Sequence, residues 1–256
     1  MWDTIYHRYY KTEDLVKDWP LIDNPLPILT IIVSYLSVAL YGQTIMKRFN
    51  ALGLRSFMFF YNLSVIIWCL LVTVLSLQAV FAVPNFWKVH LGRKLISEAG
   101  IGQKFLLVHY LYLLSKIYEL LDTIIFVLRK KFNQVSLFHV YHHASILIIE
   151  WHHFKTYPGP MAMPLVILNS IVHVFMYGYY FLSSFGPKVQ KYLWWKKYIT
   201  QMQLIQLAIY FAYFTWFRGY TTIYPRGLID CYILYNFTIF GFFCHFYVKE
   251  YRKKNI

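Results

Sequence analysis

The chain has 256 residues, of which 59% are hydrophobic, 21% aromatic and 14% charged, with mean hydropathy +0.44. A water-soluble domain of this length has no use for so much apolar surface, whereas a bundle of membrane-spanning helices does. Lys and Arg number 25 against 11 Asp and Glu, a formal balance of +14. In so apolar a chain that excess points to membrane topology and an anionic ligand, and it leaves nucleic acid out.

Residues 1–25 read as a mixed-charge arm, acidic on balance. They lack the basic start, apolar core and small-residue cleavage site of a signal peptide. Seven apolar stretches follow and predict an all-α integral membrane protein: 26–46, 57–83, 104–128, 136–151, 161–185, 199–217 and 228–248. The first is entered through Pro25-Leu26-Pro27. The third to sixth carry polar residues that erode their hydropathy. Cys69, Cys231 and Cys244 all lie in these stretches without CxxC spacing, so neither a disulfide frame nor a zinc site is expected of them. Asn62-Leu63-Ser64 and Asn236-Phe237-Thr238 match the glycosylation acceptor pattern but fall inside spans, and read as chance matches.

Alternating the sides of seven spans puts fourteen Lys and Arg on one side, including Arg129, Lys130, Lys196, Lys197, Lys253 and Lys254. Nine fall on the other, including Arg8, Arg93, Lys94 and Lys155. The richer side is expected to be cytosolic, with the N-terminus lumenal. Lys253 and Lys254 stand fourth and third from the end, as in the di-lysine signal that retrieves membrane proteins to the endoplasmic reticulum. That signal works only on a cytosolic tail, in agreement with the charge count.

Polar groups within spans mark the candidate site, because ionisable side chains in hydrocarbon are expensive unless paired or hydrated. On the third span Lys116, Glu119, Asp122 and Thr123 share one arc. Lys116 and Glu119 are spaced to pair, and Asp122 is placed to orient a histidine from a neighbouring helix. The fourth holds His139-Val-Tyr-His142-His143, three imidazoles on one helical face. On the fifth, Asn169, His173, Met176, Tyr177 and Tyr180 share a face, with His173 a candidate acid/base partner and the tyrosines as hydrogen-bond donors. The sixth adds Thr200, Gln203 and Gln206, amides suited to an oxyanion or an amide-bearing ligand arm. His152 and His153 are expected at the membrane interface, outside the site. His7, His90, His109 and His245 have no nameable partners.

Four patterns then stand in order: KxxExxDT from Lys116, HxxHH from His139, NxxxHxxMYxYY from Asn169 and TxxQxxQ from Thr200. In that order and spacing they resemble the very-long-chain fatty acid elongase family over nearly the whole chain. HxxHH alone is weak, since membrane desaturases share it; four patterns in register are specific. The resemblance implies six helices around an acyl-chain tunnel closed at its lumenal end, with the first helix outside. It implies a 3-oxoacyl-CoA synthase that joins acyl-CoA to malonyl-CoA with loss of CO2, using no metal and no cofactor. Arg129, Lys130, Lys196 and Lys197 become candidates for a basic rim meeting the CoA phosphates. The partners in view are membrane lipid, the reductases and dehydratase of the elongation cycle, and a second copy of the chain.

With no cysteine near the polar cluster in sequence or motif, imidazole is the available nucleophile, and His142 is the expected acyl carrier. His173 would move a proton or stabilise the enolate, with Asn169 and Tyr177 as donors and His139 and His143 orienting groups. Lys116, Glu119, Tyr180, Gln203 and Gln206 would line the substrate site. A di-iron membrane desaturase needs roughly eight histidines in three clusters, more than this chain offers, and iron content would separate the two. A seven-span receptor or transporter has no need of a histidine box beside buried charges.

Overall fold

The computed structural model describes residues 10–89, 100–221 and 224–252, and these residues contain helices and no strand. The first long helix, α1 (Leu26–Met46), starts where the Asn24 side chain accepts the Leu26 amide at 2.9 Å, and Pro27 sits in the first turn where no amide is required. It is followed by α2 (Arg55–Phe81), α3 (Ile101–Glu119), α4 (Leu121–Leu128), α5 (Leu137–Thr156), α6 (Met163–Ser183), α7 (Lys196–Tyr220) and α8 (Arg226–Tyr247). One-turn helices at Phe86–Val89 and Pro187–Gln190, 3-10 turns at Phe132–Gln134 and Pro160–Ala162 and a π-turn at Val248–Arg252 complete the elements of the described residues.

Four helical segments are long and apolar enough to cross a membrane: Leu26–Met46, Arg55–Phe81, Pro160–Ser183 and Arg226–Tyr251. They make the chain a multi-pass membrane protein. Leu40, Phe60, Ile67, Leu234 and Phe237 point outward from these helices, as a lipid-facing surface requires. Three of the four polar patterns read from the sequence lie on helices outside that set, α3 with α4, α5 and α7, while the one from Asn169 lies on α6 within it.

Packing runs from α5 to α3, α2, α6, α7 and α8, and α3 also touches α6. The α5–α8 contact is made by the Ser145 hydroxyl 3.2 Å from the Tyr235 hydroxyl and by Phe138 stacked on Phe242 at 5.4 Å. Helix α1 lies against α4 and α5. A Cβ added at Gly42 would sit 2.7 Å from Val127 Cγ1, so only glycine lets α1 come this close to α4.

The two ends of the bundle are tied differently. At one, Arg55 Nε donates to Ser184 O at 2.9 Å and its Nη2 to Phe185 O, capping the last carbonyls of α6. The Leu52 amide donates to Leu128 O at 3.0 Å, so α4 ends there too. At the other end residues 10–25 of the arm are docked. The Glu13 amide donates to Lys155 O, Trp151 Nε1 to Leu21 O and Lys155 Nζ to Asp23 O, each at 2.8 Å. Val16 and Ile22 are buried in the core formed with α3 and α5.

Two stretches differ from the sequence expectation. The third, 104–128, is interrupted at Leu120, where the Leu120 amide bonds to Ile117 O and the Thr123 amide to Leu120 O. These i to i−3 bonds are a local tightening of the helix. The fourth does not stop at 151: α5 continues to Thr156, so His152 and His153 are helical rather than trailing at an interface. Asn62 and Asn236 are buried within helices, and Asn236 Nδ2 donates to Leu207 O at 2.8 Å, in line with chance sequon matches. His7, Arg8, His90, Arg93, Lys94 and the Lys253–Lys254 signal lie outside the described residues.

Candidate active site

Ser136 caps α5 by accepting the His139 amide at 3.2 Å, and this local signal starts the helix one turn before the histidine box. The box then faces α3 and α4. His139 Nε2 lies 2.7 Å from Thr123 Oγ1, and that hydroxyl donates to Tyr35 of α1 at 3.3 Å. With its hydrogen directed at Tyr35, Thr123 accepts from Nε2–H, which fixes the His139 tautomer. The His143 ring packs 4.3 Å from that of His139. His142 differs, for its Nδ1 is buried with no hydrogen-bond partner among protein atoms.

The charged groups of α3 meet α6, and all are buried. Lys116 Nζ donates to Glu119 Oε1 at 2.7 Å and to Asn169 Oδ1 at 2.9 Å, while the Tyr112 hydroxyl donates to the same Oδ1 at 3.0 Å. His173 Nδ1 stands 3.3 Å from Glu119 Oε1. One turn further along both helices, Tyr177 donates to Asp122 Oδ2 at 2.5 Å. Helices α3 and α4 therefore run parallel to α6, with 116 and 119 of α3 facing 169 and 173, and 122 of α4 facing 177.

This register corrects two expectations. The carboxylate beside a histidine is Glu119, one turn before Asp122, because the register puts Asp122 opposite the Tyr177 hydroxyl. Tyr177 is accordingly no free donor, since its hydrogen is held by Asp122. The i, i+3 pairing of Lys116 with Glu119 is as expected. Asn169 uses its carbonyl oxygen for Lys116 and Tyr112, which leaves its amide hydrogens for a ligand.

The remaining candidates are less closely tied. Gln203 Nε2 reaches Met176 Sδ at 3.5 Å, Thr200 and Gln206 are buried on α7, and the Tyr180 ring packs edge-on to Tyr177 at 5.7 Å. Arg129 Nη1 contacts Met58 Sδ at 2.8 Å and Lys130 takes a left-handed backbone with φ 55° just past α4. Lys196 and Lys197 open α7, with Lys196 Nζ 4.0 Å from Glu250 and Lys197 over the Tyr198 ring. Tyr179 at the end of α6 packs edge-on to Trp195 at 5.5 Å. The four basic residues thus share the end of the bundle that Arg55 closes.

Sequence reasoning missed Tyr112, one helical turn before Lys116, and Tyr35 on α1. It also left His109 without a partner, although the His109 Nε2 atom lies 3.6 Å from Glu150 Oε2. Glu150 was the available signal there, a carboxylate inside an apolar run with a histidine three residues on.

Comparison with known proteins agrees with this arrangement. The family described as "ELO: GNS1/SUR4 family" matches residues 20–256. Very long chain fatty acid elongase 2 of Mus musculus is 37% identical over 245 residues, covering 94% of this chain and 81% of the relative. Elongase 1 of the same organism is 34% identical, covering 97% and 90%, and elongase 4 of Homo sapiens 33% identical, covering 93% and 75%. The chain belongs to the ELO (GNS1/SUR4) family, that of the very long chain fatty acid elongases.

Proposed function

We propose that this protein elongates fatty acids by catalysing the condensing step, joining a long-chain acyl-CoA to malonyl-CoA with loss of CO2 to give a 3-oxoacyl-CoA. The observation that carries the reading is the pairing of a histidine box, one of whose rings keeps an uncommitted buried nitrogen, with a second histidine held by a carboxylate across α3 and α6. Family membership supplies the substrate class.

In the first half-reaction a nitrogen of His142 attacks the thioester carbonyl. The carbon–sulfur bond breaks, CoA leaves as the thiol after taking up the imidazole proton, and an acyl-imidazole remains. In the second, malonyl-CoA loses CO2 and the resulting enolate carbon attacks the acyl carbon, returning the electron pair to imidazole. Lys116 places a positive charge near the enolate oxygen, the Asn169 amide donates to it, and His173, positioned by Glu119, moves the proton. His139, locked by Thr123, and His143 behind it hold the box in place. The reaction is redox-neutral and needs neither cofactor nor metal.

The same reading extends to architecture. Seven spans would cross the endoplasmic reticulum membrane with the N-terminus lumenal and the C-terminus cytosolic. Six of them would enclose the acyl chain with α1 outside, in line with the packing order and with α1 lying on α4 and α5. Arg129, Lys130, Lys196 and Lys197, gathered at one end, would meet the CoA phosphates. Gln203, Gln206 and Tyr180 would line the path between.

The test uses purified protein with a long-chain acyl-CoA and no malonyl-CoA, measuring free CoA and intact mass. The expected result is near-stoichiometric CoA with an acyl adduct that disappears in His142→Ala. A 3-oxo product on adding malonyl-CoA, without prior CoA release or adduct, would keep the condensation and discard the covalent step. No turnover in either assay by folded protein would overturn the proposal.

A further inference from the structure

About 10–15 Å along α3 from the Lys116–Glu119 pair, at 1.5 Å per residue, a second polar cluster is buried. His109 of α3 faces Glu150 and His153 of α5, with relative exposures of 0%, 9% and 3%. One ligand-capable atom from each lies within 4.8 Å of the others. His109 Nε2 and His153 Nε2 are both buried with no hydrogen-bond partner among protein atoms. Aromatic rings enclose the group: Phe154 is 5.1 Å from His109, and Tyr232 is 5.7 Å from His153. The arm closes over it, with Trp19 packed 5.7 Å from Phe154.

We infer that His109, Glu150 and His153 form a binding site for a divalent transition metal, with zinc the ion that fits best, separate from the condensing site. Two neutral imidazoles and a carboxylate are a common three-ligand zinc set that leaves the fourth position to water or to a hydroxyl such as that of Tyr232. The absence of a thiolate from the set disfavours copper(I). Zn–N and Zn–O distances of about 2.0–2.2 Å put tetrahedral ligand atoms roughly 3.3–3.5 Å apart. His109 Nε2 and Glu150 Oε2 already stand at 3.6 Å. Glu150 and His153 are at i, i+3, one turn apart on one face. The charge argument points the same way. Among the described residues Glu150 has no lysine or arginine partner, and a buried carboxylate needs a positive counterpart.

Loading the ion involves a tautomer change. The Gly159 amide donates to His109 Nδ1 at 3.3 Å, which places the ring hydrogen on Nε2, aimed at Glu150. Ligation through Nε2 moves that hydrogen to Nδ1, so the long Gly159 contact is given up and Glu150, at 3.6 Å beyond hydrogen-bond distance, becomes a ligand. The bound ion ties α3 to α5, the helices that carry Lys116, Glu119 and the histidine box, and fixes their spacing two to three turns away.

The test is metal content of the full-length protein, purified in detergent on a tag without histidines, incubated with zinc alone and desalted. The expected result is one zinc per chain, retained in His142→Ala and lost in His153→Ala and in the near-isosteric Glu150→Gln. Each variant is to be checked for a single symmetric peak in size exclusion. Cobalt(II) in place of zinc is expected to give the intense visible bands of a four-coordinate site in the unaltered protein, a readout that needs no variant. Metal-free protein after zinc loading, or an ion lost in His142→Ala and kept in Glu150→Gln, would overturn the inference.

Discussion

The two buried polar clusters share helix α3, one joining it to α6 and the other to α5, yet solve opposite problems. Around Lys116 the charges are balanced and interlocked within the protein: Lys116, Glu119, Asn169 and Tyr112 are hydrogen-bonded at 2.7–3.0 Å, and His173 Nδ1 stands 3.3 Å from Glu119 Oε1 as an ion-pair contact. Around Glu150 the groups are as deeply buried, but two imidazole nitrogens lack hydrogen-bond partners and, among the described residues, the carboxylate has no lysine or arginine partner, with His109 Nε2 3.6 Å away. A closed network fixes geometry, which a condensing site needs, whereas an open one asks for something from outside the chain. Burial alone therefore says little about what a polar cluster does; the state of its hydrogen bonds says more.

The comparison can be broken most forcefully at the condensing site. Replacing His142 or His173 by alanine is expected to lower condensation about 10²–10⁴-fold, read as 3-oxoacyl-CoA formed from acyl-CoA and malonyl-CoA. Variants that stayed within a few-fold of the parent would place the chemistry elsewhere. Next in size is Glu119→Leu, which strands Lys116 in the core. A loss of about 3–5 kcal/mol is expected, seen as a clear fall in the thermal unfolding temperature in detergent.

Glu150→Leu sharpens the contrast. In chelator-treated protein it removes a poorly compensated carboxylate, and the unfolding temperature is expected to hold or rise, a change of about 0–4 kcal/mol in favour of the fold. A fall as large as that of Glu119→Leu would show that the two clusters are energetically alike. Tyr177→Phe leaves Asp122 short of one donor, with an expected cost of about 1–3 kcal/mol in the same scan. The smallest effect is expected at the Arg218–Asp230 pair, which is 2.5 Å apart but exposed on both sides. Arg218→Ala should leave the unfolding temperature within measurement error, and a marked drop would mean that this pair is shielded as the inner ones are.

Local spacing was legible in the sequence. The Lys116–Glu119 pair and the shared face of the histidine box follow from 3.6-residue periodicity, which needs no knowledge of neighbours. The choice between Glu119 and Asp122 as the carboxylate beside His173 was not legible. It depends on how α3 and α6 slide past each other and on the tightened turn at Leu120, and both are set by packing over the whole contact. The Glu150 cluster was hidden for another reason. Glu150, His152 and His153 lower the hydropathy of the stretch they end, so a limit drawn at residue 151 cut the helix between two of the cluster's members.

The docked arm imposes an order on biosynthesis. Its contacts with α5 span 130 to 142 residues of sequence, from Leu21 to Trp151, from Asp23 to Lys155 and from Glu13 to Lys155. At about 5–20 residues per second a ribosome needs roughly 7–28 s to make that intervening chain. Through that interval Val16 and Ile22 have no α5 to pack against and must wait, shielded by whatever the translocation machinery offers. The arm emerges well before α5 and settles only after it, and its closure reports that α3 and α5 have already come together.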